Sequence, residues 1–163
     1  VISADVKETY SNKINKEKVA EHLAQRKALN ISKLKLPKNY LLITADTTVL
    51  INGKILNKPV NKKQSLKMLR EISNQSHQVI TGICIKTSKK ETLFSVSSEV
   101  VFKNLSLDEM TYYVENFKPF DKAGSYGIQE WIGHIGVNKI NGSYTNIMGL
   151  PTNDIYENLK KNF

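Results

Sequence analysis

The 163-residue chain has a single cysteine, Cys84, so it can form neither an internal disulfide nor a zinc site built from several thiolates. Its histidines, His22, His77 and His134, are isolated: none has a partner at i+4, and no carboxylate spacing suggests a zinc site. Phosphate-binding P-loops and serine-nucleophile elbows are also absent. The cysteine content suits a reducing compartment, and we expect the protein to be cytoplasmic.

Long apolar runs are absent as well. No stretch approaches the roughly 20 residues that cross a bilayer, and residues 1–15 contain no signal-peptide apolar region. We therefore expect neither membrane insertion nor secretion. With 163 residues and 40% hydrophobic content, the chain can bury one well-formed core, so we predict a single domain over residues 1–163.

Acidic residues are few relative to basic ones. The chain has 24 Lys and Arg against 15 Asp and Glu, a formal net charge of +9, which favours an anionic partner such as nucleic acid, a membrane surface or a phosphorylated small molecule. Many of the lysines are scattered next to asparagines, which is more typical of a solvated surface than of a basic stripe. No recognition helix or aromatic-basic platform is evident, so we do not expect a nucleic-acid partner.

Strand and helix patterns alternate along the chain and include hairpins. Helices are predicted at residues 16–30, after the cap Asn61, after the capping box that begins at Ser106, and at residues 153–163. Strands are predicted at residues 40–45, 47–51, 54–56, 78–86, 93–103 and 132–140. This order predicts an α/β fold in which a layered mixed β-sheet is flanked by helices.

Two charged residues fall at unusual places in this pattern. Asp46 follows the apolar run at 40–45, and we predict that it ends a buried strand, the part of an open α/β sheet where ligands gather. A carboxylate there either caps a turn or holds a metal ion. Lys27 continues the apolar stripe of the first helix, where its ammonium group either reaches solvent or meets an anion. The local sequence leaves both pairs of alternatives open.

Two further segments place polar groups near that strand. The Asn52-Gly53 turn predicts a hairpin that returns Lys58 toward Asp46. The segment 120–129, "FDKAGSYGIQ", contains two glycines that allow a ligand to approach the backbone closely. Within it, Lys122 suits a phosphate and Gln129 suits the edge of a planar base, although each is equally compatible with an ordinary polar loop.

Taken together, these motifs resemble the Maf family of nucleoside triphosphate pyrophosphatases. The resemblance is carried by "ADTTV" at 45–49, "NKP" at 57–59 and "DKAGSYGIQ" at 121–129, and it continues in "DVKETY" at 5–10, "HLAQRKA" at 22–28 and "GSYTNIMGLP" at 142–151. It implies the layered fold shared with inosine triphosphate pyrophosphatases, metal-dependent cleavage between the α and β phosphates of a nucleotide, and a homodimer.

The resemblance also implies roles for individual residues. Asp46 matches the family's catalytic aspartate, and Glu8 would hold a divalent ion, Mg²⁺ or Mn²⁺, together with it. Lys27 and Lys58 would bind phosphate.

Two more positions bear on the choice of substrate. Thr47 and Gln129 match the branch of the family that acts on dTTP and UTP, whereas the branch that acts on 7-methyl-GTP typically carries glutamine and glutamate there. An amide pairs well with the imide edge of uracil or thymine, which favours the pyrimidine substrates.

One departure from the family is evident. Family members open with a strand and an "S-x-S-P-R-R" loop, and the sequence that begins at Val1 contains neither; Arg26 and Arg70 do not match those arginines. We therefore expect an N-terminally incomplete, processed or truncated chain that lacks the first strand and helix. The alternative function is a nucleotide-binding or septum-regulating protein of the same family with impaired catalysis.

Overall fold

A computed structural model describes residues 9–163 of the chain. Five strands form one sheet in the order β2-β1-β3-β4-β5. They are β1 (Leu42–Ile51), β2 (Lys54–Leu56), β3 (Ser76–Lys86), β4 (Glu91–Phe102) and β5 (Val137–Asn141). The predicted α/β fold with a layered sheet flanked by helices is confirmed. All four strand pairs are antiparallel, so the prediction of a mixed sheet is wrong for the strands within residues 9–163.

Six α-helices and two short 3-10 helices accompany the sheet in this part of the chain. The α-helices are α1 (Val19–Ile31), α2 (Lys62–Ile72), α3 (Leu107–Phe117), α4 (Trp131–Gly136), α5 (Tyr144–Ile147) and α6 (Thr152–Asn162). The 3-10 helices are Lys16–Lys18 and Ala123–Ser125. Among the helices of residues 9–163, none has the length and apolar character needed to cross a membrane.

The local signals of the sequence account for several of these boundaries. The Asn61 side chain accepts a hydrogen bond of 2.9 Å from the Gln64 backbone N–H and so begins α2. Ser106 and Glu109 form both bonds of a capping box at the start of α3. Asn52 and Gly53 adopt φ angles of 48° and 70°, as a tight hairpin turn requires. These three predictions are confirmed.

Two predicted elements are wrong. Asp46 does not end a strand: β1 continues through it to Ile51, and Asp46 pairs with Gly82 of β3. The antiparallel ladder with β3 runs without a break from Leu42 to Leu50, so the charged side chain of Asp46 does not interrupt the strand. The strand predicted at 132–140 is helix α4 as far as Gly136, and only from Val137 onward is it β5. Periodicity alone cannot distinguish a short apolar strand from a short buried helix.

The two faces of the sheet are covered differently. Helix α1 packs on the face that carries Asp46, and Gly82 makes this close approach feasible because a Cβ there would lie 2.2 Å from the Glu21 backbone nitrogen. The opposite face carries the main apolar core, which includes Val49 of β1, Val79 of β3 and Phe102 of β4. Asp46 and Thr47 therefore point to different layers, since successive side chains of a strand alternate.

Candidate functional site

A cavity of about 350 Å³ opens beside β1 at the place where β2 stops pairing with it. Strand β2 pairs only with Val49–Ile51, so within the described residues no strand lies against that edge of β1 from Asp46 to Thr48. The cavity reaches both faces of the sheet at this edge. Asp46 therefore lines the cavity on the α1 face, and Thr47 lines it on the opposite face.

The cavity brings together six of the seven residues singled out from the sequence. They are Lys27, Asp46, Thr47, Lys58, Lys122 and Gln129. The seventh, Glu8, lies outside the described residues, so its place relative to Asp46 stays a prediction.

The carboxylate of Asp46 is nearly enclosed, with 7% of the residue exposed. The Lys27 ammonium group donates to this carboxylate and, at 3.3 Å, to the carbonyl oxygen of Ala45. Of the two alternatives for Lys27, the structure shows contact with an anion. Burying either charge without the other would be costly, so the pair holds both groups at the cavity wall.

Lys122, from the segment 120–129, adds a further cation to the cavity wall. Its ammonium group lies 3.0 Å from a carboxylate oxygen of Asp121 and 3.0 Å from one of Glu130. Burial lowers the pKa of Lys122, but the hydrogen bonds to Asp121 and Glu130 outweigh this effect and raise it above its usual value. The hydrogen bond from Lys122 in turn lowers the pKa of Asp121. Lys122 is therefore a cation at neutral pH.

A tyrosine of α3 ties the segment 120–129 to the rest of the molecule. The Tyr113 hydroxyl donates to Glu130 and accepts a hydrogen bond of 3.1 Å from the backbone N–H of Gly127. Burial, reinforced by the Glu130 carboxylate, raises the pKa of Tyr113 and keeps the hydroxyl protonated. Sequence reasoning missed Asp121, Tyr113 and Glu130, although the position of Asp121 beside Lys122 was a signal that could have identified it.

We expect Tyr113→Phe to lower the free energy of unfolding by about 2 kcal/mol, because it leaves the buried Gly127 N–H without its acceptor and removes a donor to Glu130. Urea unfolding would measure the loss. Tyr112→Phe is the matched control, since the neighbouring Tyr112 is half-exposed. Equal unfolding midpoints for the two variants would contradict the role of the Tyr113 hydroxyl.

On the other face of β1, Thr47 contributes an uncharged hydroxyl to the cavity wall. The hydroxyl oxygen of Thr47 lies 2.9 Å from that of Thr81, its partner on β3. Thr81 donates a hydrogen bond of 2.9 Å to the backbone carbonyl oxygen of Asn146. Sequence reasoning missed Thr81 because its contact with Thr47 depends on the pairing of two strands that are 34 residues apart at this point.

Two aromatic residues, Tyr10 and Tyr126, line the cavity. The Tyr126 hydroxyl lies 2.8 Å from Nε2 of His77, and the Tyr126 ring packs edge-on against Phe102 at 5.0 Å between centroids. Burial lowers the pKa of His77 to about 4, so His77 is neutral at physiological pH. Tyr126, His77 and Phe102 therefore support the cavity wall without adding charge to it.

The carboxylates at the cavity suit a hard divalent cation. Magnesium is usually held by one or two protein carboxylates together with substrate phosphates, rather than by a complete protein cage. Asp46 and Asp121 both line the cavity. In residues 9–163 no group of three or more His, Cys, Asp or Glu side chains could hold a metal by itself. The described residues thus fit a magnesium or manganese ion shared with a phosphorylated ligand better than a zinc site.

Comparison with known proteins places this cavity in context. A family model described as "Maf-like protein" matches residues 1–162. The chain is 47% identical over 157 residues to a dTTP/UTP pyrophosphatase of Porphyromonas gingivalis, covering 96% of this chain and 79% of the relative. It is 46% identical over 157 residues to a dTTP/UTP pyrophosphatase of Bacteroides fragilis, covering 96% and 81%. Over 155 residues it is 45% identical to the Flavobacterium johnsoniae protein of the same name, covering 95% and 79%.

Proposed function

The chain belongs to the Maf-like family, and we propose that it is a nucleoside triphosphate pyrophosphatase that hydrolyses dTTP and UTP to the monophosphate and pyrophosphate. The observation that carries this proposal is that one cavity brings charged and uncharged polar groups together. It is lined by charged groups, Lys27, Asp46, Lys58 and Lys122, and by uncharged hydrogen-bonding groups, Thr47 and Gln129. A nucleotide likewise joins charged phosphates to an uncharged base.

The charged groups of the cavity suit a triphosphate. Lys27, Lys58 and Lys122 all border the cavity, and Lys27 and Lys122 are already held by carboxylates in defined positions. Cations held in place before the reaction stabilise the negative charge that moves toward the leaving group in phosphoryl chemistry. We therefore propose that these lysines bind the phosphates and stabilise the departing pyrophosphate.

Asp46 is the group best placed to act on water. Its enclosed carboxylate would accept a proton from a water molecule whose oxygen attacks the α-phosphorus. The bond between the α-phosphorus and the bridging oxygen then breaks, and its electron pair leaves with pyrophosphate. No covalent intermediate with the protein is needed.

A divalent ion would complete the charge balance. We propose that Asp46 holds Mg²⁺ or Mn²⁺ together with phosphate oxygens, and that Glu8 is a further ligand, as the family resemblance implies. When bound, the ion would neutralise negative charge on the phosphates.

The uncharged polar groups of the cavity suit a pyrimidine base. Gln129 carries an amide with both a donor and an acceptor, and Thr47 carries a hydroxyl; both line the cavity. The imide edge of uracil or thymine alternates acceptor, donor and acceptor, which these two side chains can complement.

The proposal is tested by assaying pyrophosphate release from dTTP, UTP, CTP, ATP and GTP with Mg²⁺ or Mn²⁺, and with EDTA as a control. We expect dTTP and UTP to exceed the other nucleotides by about tenfold or more in kcat/KM, since each discriminating hydrogen bond contributes roughly that factor. EDTA should abolish the activity. Nucleotides that raise the melting temperature but give no product would contradict an enzyme and favour a binding protein.

A further inference from the structure

The contacts of Thr81 determine where the hydroxyl proton of Thr47 points. The Thr81 oxygen lies 2.9 Å from the Thr47 oxygen and 2.9 Å from the carbonyl oxygen of Asn146. A carbonyl oxygen can only accept, and each hydroxyl has one proton to donate. The only arrangement with a proton in both contacts has Thr81 donating to Asn146 and Thr47 donating to Thr81.

This arrangement leaves only lone pairs of the Thr47 oxygen for a ligand in the cavity. Thr81 is fully buried, so solvent does not compete for its proton. Gly149, with φ of 102°, leaves the space beside Thr47 open, because a Cβ there would lie 3.3 Å from the Thr47 hydroxyl oxygen. Thr47 is therefore held as a hydrogen-bond acceptor that a ligand can reach.

We propose that Thr81 is a positioning residue for base selection: it keeps Thr47 as an acceptor for the N3–H group of uracil or thymine. The inference rests on the proposed function. Cytosine has nearly the same shape but presents an unprotonated N3, which is itself an acceptor. Two acceptors facing each other form no hydrogen bond, and both remain unsatisfied in a partly closed cavity.

A single substitution can remove the hydroxyl that orients Thr47 and leave the neighbouring hydrogen bonds in place. Thr81→Val deletes the hydroxyl, while the Asn146 carbonyl oxygen still accepts a hydrogen bond of 2.9 Å from the Gly149 N–H. The Thr47 hydroxyl then loses its acceptor and is free to turn and donate to N3 of cytosine. Thr81→Ser is the matched control, because it keeps the hydroxyl and removes only a methyl group.

The test is the ratio of kcat/KM for UTP to that for CTP in the unmodified chain and in both variants. We expect Thr81→Val to lower the ratio about tenfold and Thr81→Ser to preserve it. An unchanged ratio in Thr81→Val would overturn the inference. So would an equal loss in Thr81→Ser, because that result would indicate packing rather than the hydroxyl. If Thr81→Val does not fold, Thr81→Ala makes the same comparison.

Binding separates the failure of this inference from the failure of the proposed function. The α,β-methylene analogues of UTP and CTP cannot be cleaved between the α and β phosphates, and calorimetry measures their dissociation constants. Suppose that the chain does not hydrolyse UTP but binds the uracil analogue more tightly than the cytosine analogue, and that Thr81→Val removes this preference. That result would overturn the proposed function and support the role of Thr81. Equal affinity of the unmodified chain for both analogues would overturn the role of Thr81.

Discussion

Replacing Asp46 by asparagine is expected to lower kcat for pyrophosphate release by about three orders of magnitude and to leave the chain folded. The amide has nearly the same size as the carboxylate but accepts a proton poorly and carries no charge for a divalent ion. Lys27 retains an oxygen acceptor at that position. The loss should therefore appear mainly in turnover, with a smaller change in KM.

Asp108→Asn is the matched control for this experiment, because it removes the same charge from an exposed residue in the first turn of α3. Both variants would be assayed for pyrophosphate from dTTP, and circular dichroism would show whether each is folded. We expect Asp108→Asn to retain full activity. Full turnover in Asp46→Asn would remove Asp46 from the mechanism.

The second large effect is expected at Gly82, which pairs with Asp46 across the sheet. In Gly82→Ala the new Cβ would lie 2.2 Å from the Glu21 nitrogen and 2.3 Å from the Ala20 carbonyl carbon. Both atoms belong to the backbone of α1, which cannot yield without moving the helix. We expect the free energy of unfolding to fall by about 3 kcal/mol, measured by urea unfolding.

The same displacement should affect the site. Helix α1 carries Lys27, so a shift of the helix separates Lys27 from Asp46 and should raise KM for dTTP. Gly53→Ala is the control: its φ of 70° is unfavourable for alanine, but no atom lies within 4 Å of the added Cβ. It should cost only about 1 kcal/mol, with no change in KM. Equal stability losses in the two variants would contradict a steric origin.

Local chemistry explains what could be predicted from the sequence. The Asn61 cap, the Ser106 capping box and the Asn52-Gly53 turn depend on atoms within about four residues of one another, so the residue types alone indicate them. The predicted end of a strand at Asp46 failed because the signal was a change in polarity. The position of the strand end was decided by pairing with β3, which is remote in sequence.

The candidate site shows the same division. The motifs that resemble the Maf family nominated residues 27, 46, 47 and 58, and the residue types at 122 and 129 suited a phosphate and a base, since the chemistry of an ammonium group or an amide belongs to the residue itself. Only the tertiary structure placed them around one cavity and added Tyr113, Glu130 and Thr81. Distances between residues far apart in the chain result from strand pairing and helix packing. These are collective interactions that no short stretch of sequence contains.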